Sequence, residues 1–301
     1  MKILIAPDKF KGSLTAQEVA EAIENGISKS LPDAQIFRQP LADGGDGSLD
    51  LMANFLRLKK VQREVSGPLG RPVQAIYAIG QGIACVELAQ ASGLVLLGEN
   101  QRRPTQTSTL GSGELIRDAI LSGAKKIYLL IGGSATNDAA MGIAHALGYR
   151  FLDENRKVLS PKGGHLVKLR YIDNSLLMPL KDVSFHILCD VDNPLYGPKG
   201  AAFVYGPQKG ASPSMVKKLN QGLRQFAKVV QRRWSIDVQQ IKGGGAAGGV
   251  GAGMAALFGA EILGGFETIA QMTQLDKQIK AADNVISGEG GLDDQSLQGK
   301  V

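Results

Sequence analysis

The sequence predicts an α/β fold in two α/β domains, one inserted into the other, and three observations carry the prediction. Strand and helix patterns alternate over residues 2–58. From about residue 62 the texture changes to short β runs broken by Gly and Pro, in "VQREVSGPLGRPVQAIYAIGQGIACVELA". The early style then returns near the end, in "AADNVISGEGGLDDQSLQGKV". A chain of 301 residues with 44% apolar composition has enough apolar material for two cores.

The elements follow in order. "KILIAP" reads as a first strand, and "TAQEVAEAIENGISKSL" as a helix opened by a Thr15-x-x-Glu18 capping box, with Val19, Ile23 and Ile27 on one face. "AQIFRQPLA" is a second strand, followed by a helix starting near Asp46 with Leu49, Met52, Ala53 and Leu56 inward. The broken β runs after residue 62 read as hairpins. Ile127 to Ile131 are apolar and mostly β-favouring, long enough for a buried strand and too short for a buried helix. Gly132 and Gly133 break that strand, and Thr136, Asn137 or Asp138 is expected to cap a helix whose apolar face is Met141, Ala144 and Leu147. "SIDVQQIK", before the glycine-rich run at 243–253, is a poor strand. The expected division is 1–62 plus 260–301 for a Rossmann-like or flavodoxin-like parallel-sheet domain, incomplete at its C-terminal end, and 63–259 for the inserted mixed domain.

Composition narrows the function classes. No segment approaches the ~20 continuous apolar residues of a membrane span, and the N-terminal apolar run is too short for a secretory leader. A cytoplasmic protein with no membrane partner is expected. Cys85 and Cys189 sit in apolar runs and form neither metal spacing nor a disulfide framework, so they read as reduced, buried thiols. The net charge of +6 raises the question of a nucleic-acid partner. The densest cations, in "MVKKLNQGLRQFAKVVQRRW", lie mostly off the Leu219, Leu223, Phe226 and Val230 face, however, and read as a solvated helix surface. Aromatic residues are few and no nucleic-acid motif accompanies them.

Polar chemistry gathers in glycine-and-acid clusters that follow strands, which is where ligands of parallel α/β proteins sit. Gly132, Gly133, Ser134, Thr136 and Asn137 make a turn suited to an anion, a phosphate above all. Gly243-x-Gly245-x-x-Gly248 lacks the strand before it and the acid after it that a dinucleotide fingerprint needs, leaving a phosphate nest or a close-packed helix start. A Walker A sequence, a G-x-S-x-G elbow and metal spacing among the histidines are all absent. Acids and phosphate loops remain, which is the equipment of phosphoryl transfer. Asp43, Asp46 and Asp192 are candidate metal ligands, against a role in turns or as an N-cap. Asp190 ends a strand as the candidate to orient an acceptor hydroxyl, and Asp8 and Lys11, after the first strand, are the other catalytic candidates. Lys9, Ser13, Asp43 and Arg71 are candidate substrate contacts, and Glu289 with Gly245 and Gly248 joins the nucleotide or phosphate set.

These residues also carry a resemblance. "MKILIAPDKFKGSLTAQEVAEAIENG", "PLADGGDGS", "TLGSGELI", "IGGSATNDAAMG", "CDVDNPLYGPKGAAFVYGPQKGA", "GGGAAGGVGAGM" and "SGEGGLDDQSLQGK" closely resemble, in order and over the whole chain, the bacterial glycerate kinases unrelated to P-loop kinases. The resemblance implies ATP- and Mg²⁺-dependent phosphorylation of D-glycerate, commonly at the 2-hydroxyl, in a cleft between two α/β domains. It marks three departures: Ser112 where the family more often has Thr, Gly291 where a basic residue is frequent, and an end at Val301 where the family continues. Lacking that tail, the chain is expected to be less stable and to expose the strand "NVISG", giving either association through that edge, with a homodimer as the candidate, or a nearly inactive, aggregation-prone monomer. A catalytically weak binder of nucleotide or hydroxy acid is the alternative, and a dehydrogenase the third reading.

Overall fold

The computed structural model describes residues 1–10, 13–42, 44–45 and 47–291. In chain order it contains β1 (Lys2–Ile5), α1 (Ala16–Ser30), β2 (Gln35–Arg38), α2 (Ser48–Phe55), β3 (Lys59–Ser66), β4 (Pro72–Gly80) and β5 (Ile83–Glu87). Then come α3 (Ala89–Ser92), α4 (Leu110–Leu121), β6 (Lys126–Leu130), α5 (Met141–Ala146), β7 (Arg150–Leu152), β8 (Tyr171–Asp173) and β9 (Ser184–Leu188). The remainder is α6 (Ala201–Tyr205), α7 (Pro213–Trp234), α8 (Ala246–Phe258), β10 (Glu261–Leu263), α9 (Gly265–Met272), α10 (Leu275–Ala281) and β11 (Asn284–Ile286).

Two sheets organise these elements. One has three strands in the order β11-β1-β2, all parallel, and joins the first and last parts of the described chain. The other has six, in the order β10-β9-β6-β5-β4-β3, parallel from β5 to β10 and antiparallel through the β3–β4–β5 meander. The fold is therefore α/β, with one all-parallel and one mixed sheet. Sheet membership changes at slightly different points from the expected boundaries, because β3 already begins at Lys59 and β10 runs to Leu263 within the larger sheet.

Local rules explain the first elements. Thr15 and Glu18 form the reciprocal capping box, and Val19 and Ala20 are the buried face of α1. Parallel strands buried on both faces are near-continuously apolar, as β6 is, with Ile127, Leu129 and Leu130 all at 1% exposure or less. One face of the large sheet packs with Leu115, Ile116, Ile143, Val250 and Met254 of α4, α5 and α8. The other packs with Leu49, Met52 and Ala53 of α2 and Ile269 of α9. Because α9 also offers Phe266 and Ala270 to Leu4, Ala6 and Leu41, it lies between the two sheets. In α7 the face of Leu219, Leu223, Phe226 and Val230 is buried, while Lys217, Lys218, Arg224, Lys228 and Arg232 are exposed, as the pattern indicated.

Candidate functional site

The carboxyl ends of the strands bring the polar loops to one region. Beyond β1 the chain runs through Ala6 and Pro7 to Asp8, whose N–H donates to the Gly288 carbonyl after β11 at 2.8 Å. Asp8 is buried, its Oδ1 accepts the Lys9 N–H at 2.7 Å, and Lys9 Nζ lies 3.8 Å from the same oxygen. Glu289 follows Gly288, half-buried, so the first and last parallel strands place Asp8, Lys9 and Glu289 on neighbouring segments. Asp8, Lys9 and Ser13 line a cavity of about 820 Å³ together with Arg38, Asp50 and Lys60. Arg38 is held by Glu21 and Glu24, and Lys60 by Asp50 at 2.8 Å. Lys11, Asp43 and Asp46 lie outside the described residues.

The turn after β6 meets the turn that follows β2. A Cβ built on Gly132 would lie 2.5 Å from the Gly45 Cα, and one on Gly44 3.2 Å from the Leu188 side chain at the end of β9. Only glycine lets these backbones approach so closely. Gly133 has φ +67°, a left-handed conformation that also favours glycine. A Gly133→Val variant therefore carries backbone strain.

Beyond the glycines the loop turns inward. Thr136, Asn137 and Asp138 are at 1% exposure or less, and none of them occupies the cap position of the next helix. That position belongs to Ala140, with φ +58° and no side-chain cap, which corrects the expected helix start. Asp138 instead reaches across to α4: its Oδ2 accepts the Thr109 N–H at 2.8 Å and the Thr109 hydroxyl at 2.9 Å, besides the Gly142 N–H at 3.2 Å. Burial pushes the Asp138 carboxyl up to about 6, against the lowering effect of these hydrogen bonds. Lys209, 3% exposed, donates from Nζ to Ser134 Oγ at 2.7 Å and to the Thr136 carbonyl at 2.8 Å. Burial pushes its ammonium down to about 7, with the Asp138 charge opposing the shift. Thr136 Oγ1, both side-chain polar atoms of Asn137 and Asp138 Oδ1 are buried without a hydrogen-bond partner among the described residues. Each such group costs about 1–3 kcal/mol, so their concentration in one loop sets it apart from an ordinary core.

The other candidates are placed less centrally. Asp190, exposed after β9, accepts the N–H groups of Gly265 at 2.7 Å and Phe266 at 3.2 Å, and so caps α9 from a neighbouring strand end. Asp192 is exposed two residues on. Arg71 is exposed at the β3–β4 hairpin, where its carbonyl accepts the Gly67 N–H at 2.7 Å, and it does not line the cavity. Gly245 and Gly248 face the chain's own backbone, since a Cβ on either would lie 2.2 Å from the Pro194 carbonyl and 2.1 Å from the Thr136 carbonyl respectively. The glycine-rich run is thus packed against the "SATND" loop, and it starts from a 3₁₀ turn at Val238–Gln240, not from a strand. Cys85 is buried and Cys189 half-buried, and both are free thiols.

Among the described residues no group of three or more His, Cys, Asp or Glu side chains could hold a metal. Mg²⁺ does not require one: it favours hard oxygen donors and is commonly held by one or two carboxylates plus substrate phosphates. The acids at these strand ends fit that donor chemistry. Sequence reasoning missed Lys209, Asp138 and Thr109, whose partners lie 75, 29 and 29 residues away and leave no local signal beyond the motifs that contain them.

Comparison with known proteins follows the same lines. A family model described as the glycerate kinase family matches residues 3–301. The chain is 44% identical over 302 residues to a glycerate kinase of Halalkalibacterium halodurans, covering 99% of this chain and 80% of that protein. It is 45% identical over 304 residues to a glycerate 2-kinase of Escherichia coli strain K12, covering 100% of this chain and 80% of that protein. A crystal structure from Salmonella typhimurium LT2 superposes with a TM-score of 0.89 at 43% identity, over 100% of this chain and 81% of that one.

Proposed function

This chain belongs to the glycerate kinase family, and from that premise we propose that it transfers the γ-phosphoryl group of ATP to the 2-hydroxyl of D-glycerate where the strand ends of its two sheets meet. The observation that carries the location is the Gly45–Gly132 approach, which joins the acid-bearing loop after β2 to the glycine turn after β6. Phosphoryl transfer asks a protein mainly for positioning and charge neutralisation, and loops that converge from separate strands supply both.

Each residue then has a role. The backbone of Gly132 and Gly133, continued by Ser134, Thr136 and Asn137, borders the donor phosphates, with Gly245 and Gly248 backing that loop from behind. Lys9, Lys11 and Ser13 grip the glycerate carboxylate or the transferring group, with Asp8 holding Lys9 in place. Asp190 orients the acceptor hydroxyl, and its two amide contacts at the start of α9 fix the carboxylate at the end of β9. Asp43, Asp46 and Asp192 are the residues that would hold Mg²⁺, which when bound neutralises charge on the β- and γ-phosphates. Glu289, beside the Asp8 loop, completes the nucleotide side. Arg71 remains a candidate substrate contact on the hairpin.

The test is a coupled assay of ADP release with D-glycerate, with and without Mg²⁺, and ³¹P NMR of the product. Glycerate- and Mg²⁺-dependent turnover giving 2-phosphoglycerate supports the reading. ATP binding with no glycerate-dependent turnover overturns it in favour of a binding protein.

A further inference from the structure

Lys209 stands apart from the other cations. It is buried, and it sits on a 3₁₀ turn between α6 and α7, far in sequence from the strand ends. Burying an ammonium is costly unless hydrogen bonds answer it. Here two do, both within the turn that follows β6: Ser134 Oγ at 2.7 Å and the Thr136 carbonyl at 2.8 Å. The backbone fixes the lysine as tightly as its head. Lys209 N–H donates to the Gly206 carbonyl at 3.0 Å, and Gly210, at φ +82°, would place a Cβ 2.4 Å from the Arg102 carbonyl. A side chain locked at both ends can transmit position.

We infer that Lys209 is a positioning residue for phosphoryl transfer, clamping the turn after β6 so that Gly132 holds the Gly44–Gly45 turn against it. The inference rests on the kinase reading of this loop. Ser134 is two residues from Gly132, whose backbone touches Gly45, and Gly45 lies between Asp43 and Asp46 in sequence. Movement released at Ser134 is thereby passed to the loop that carries those acids. The clamp does not depend on charge alone: a neutral amine keeps two N–H donors, enough for both acceptors. The Asp138 charge acts on the ammonium from the turn after β6, and the Arg102 backbone packs against Gly210 beside it.

The experiment compares the wild type with Lys209→Met and Ser134→Ala by amide hydrogen exchange and steady-state kinetics. In Lys209→Met, exchange should rise about tenfold or more in peptides containing 132–136 and in the peptide containing Gly44 and Gly45, reporting local opening. The turnover number should fall about tenfold or more while the glycerate KM stays within about threefold, the pattern of a contact realised in the transition state. A folded variant with wild-type exchange at Gly44–Gly45, or with raised KM and unchanged kcat, overturns the inference. If Lys209→Met fails to fold, Ser134→Ala removes one acceptor and leaves the lysine in place. Several-fold changes in the same two readouts then support the clamp, and none overturns it. An inactive wild type would count against the kinase reading alone, because the exchange measurement still decides whether Lys209 holds the two turns together.

Discussion

Gly132 and Gly45 touch backbone to backbone: a Cβ on Gly132 would lie 2.5 Å from the Gly45 Cα, a separation that real side chains do not tolerate. The two glycines belong to turns that follow different sheets, so the contact sets how far apart those turns can stand. Alanine at 132 must push one of them away. Overpacking of this kind costs about 1–3 kcal/mol, and Gly132→Ala should lose that much in urea denaturation. Because the displaced turn adjoins the proposed site, kcat should fall by more than the stability loss explains. Wild-type kcat in Gly132→Ala would separate the contact from catalysis.

Asp190 has a structural duty that its sequence position does not reveal. Its carboxylate accepts two N–H groups at the start of α9, a helix that packs between the sheets. Removing a capping acceptor costs about 0.5–2 kcal/mol. Asp190→Asn keeps one acceptor oxygen, so it should lose less stability than Asp190→Ala. If Asp190 also orients the acceptor hydroxyl, Asp190→Asn should lower kcat by roughly 10²–10⁴ at nearly unchanged Tm. Equal small losses in both variants, with kcat following stability, would leave Asp190 only its capping role.

What was legible in the sequence was local. The Thr15–Glu18 box, the α7 face and the β6 run each depend on residues within a few positions of one another, and all three are present in the structure. The interior of the candidate site depends on distant partners. Asp138 reads as a helix cap from its neighbours, yet its carboxylate serves Thr109 at the head of α4. Lys209 has no neighbour in "YGPQKGA" that marks it, yet it is buried and bonded to Ser134, 75 residues away. The glycine-rich run reads as a phosphate nest or a close-packed helix start, and its pattern does not name the Thr136 carbonyl that Gly248 faces. Pattern finds elements; it does not say which loop will fill another.

The buried pair should leave a mark on stability as a function of pH. Asp138 titrates at about 6 in the folded protein against a reference of 3.8, so between those values the folded state holds the extra proton. Its contribution therefore falls as pH rises through that window. Lys209 titrates at about 7 against 10.5, so over that range the unfolded state holds the extra proton and stability rises with pH. The two together place a minimum between about pH 6 and 7. Urea denaturation from pH 4 to 10 should show Asp138→Asn flattening the acid limb relative to wild type, and Lys209→Met the alkaline one. Parallel curves for wild type and both variants would rule out these two groups as the source.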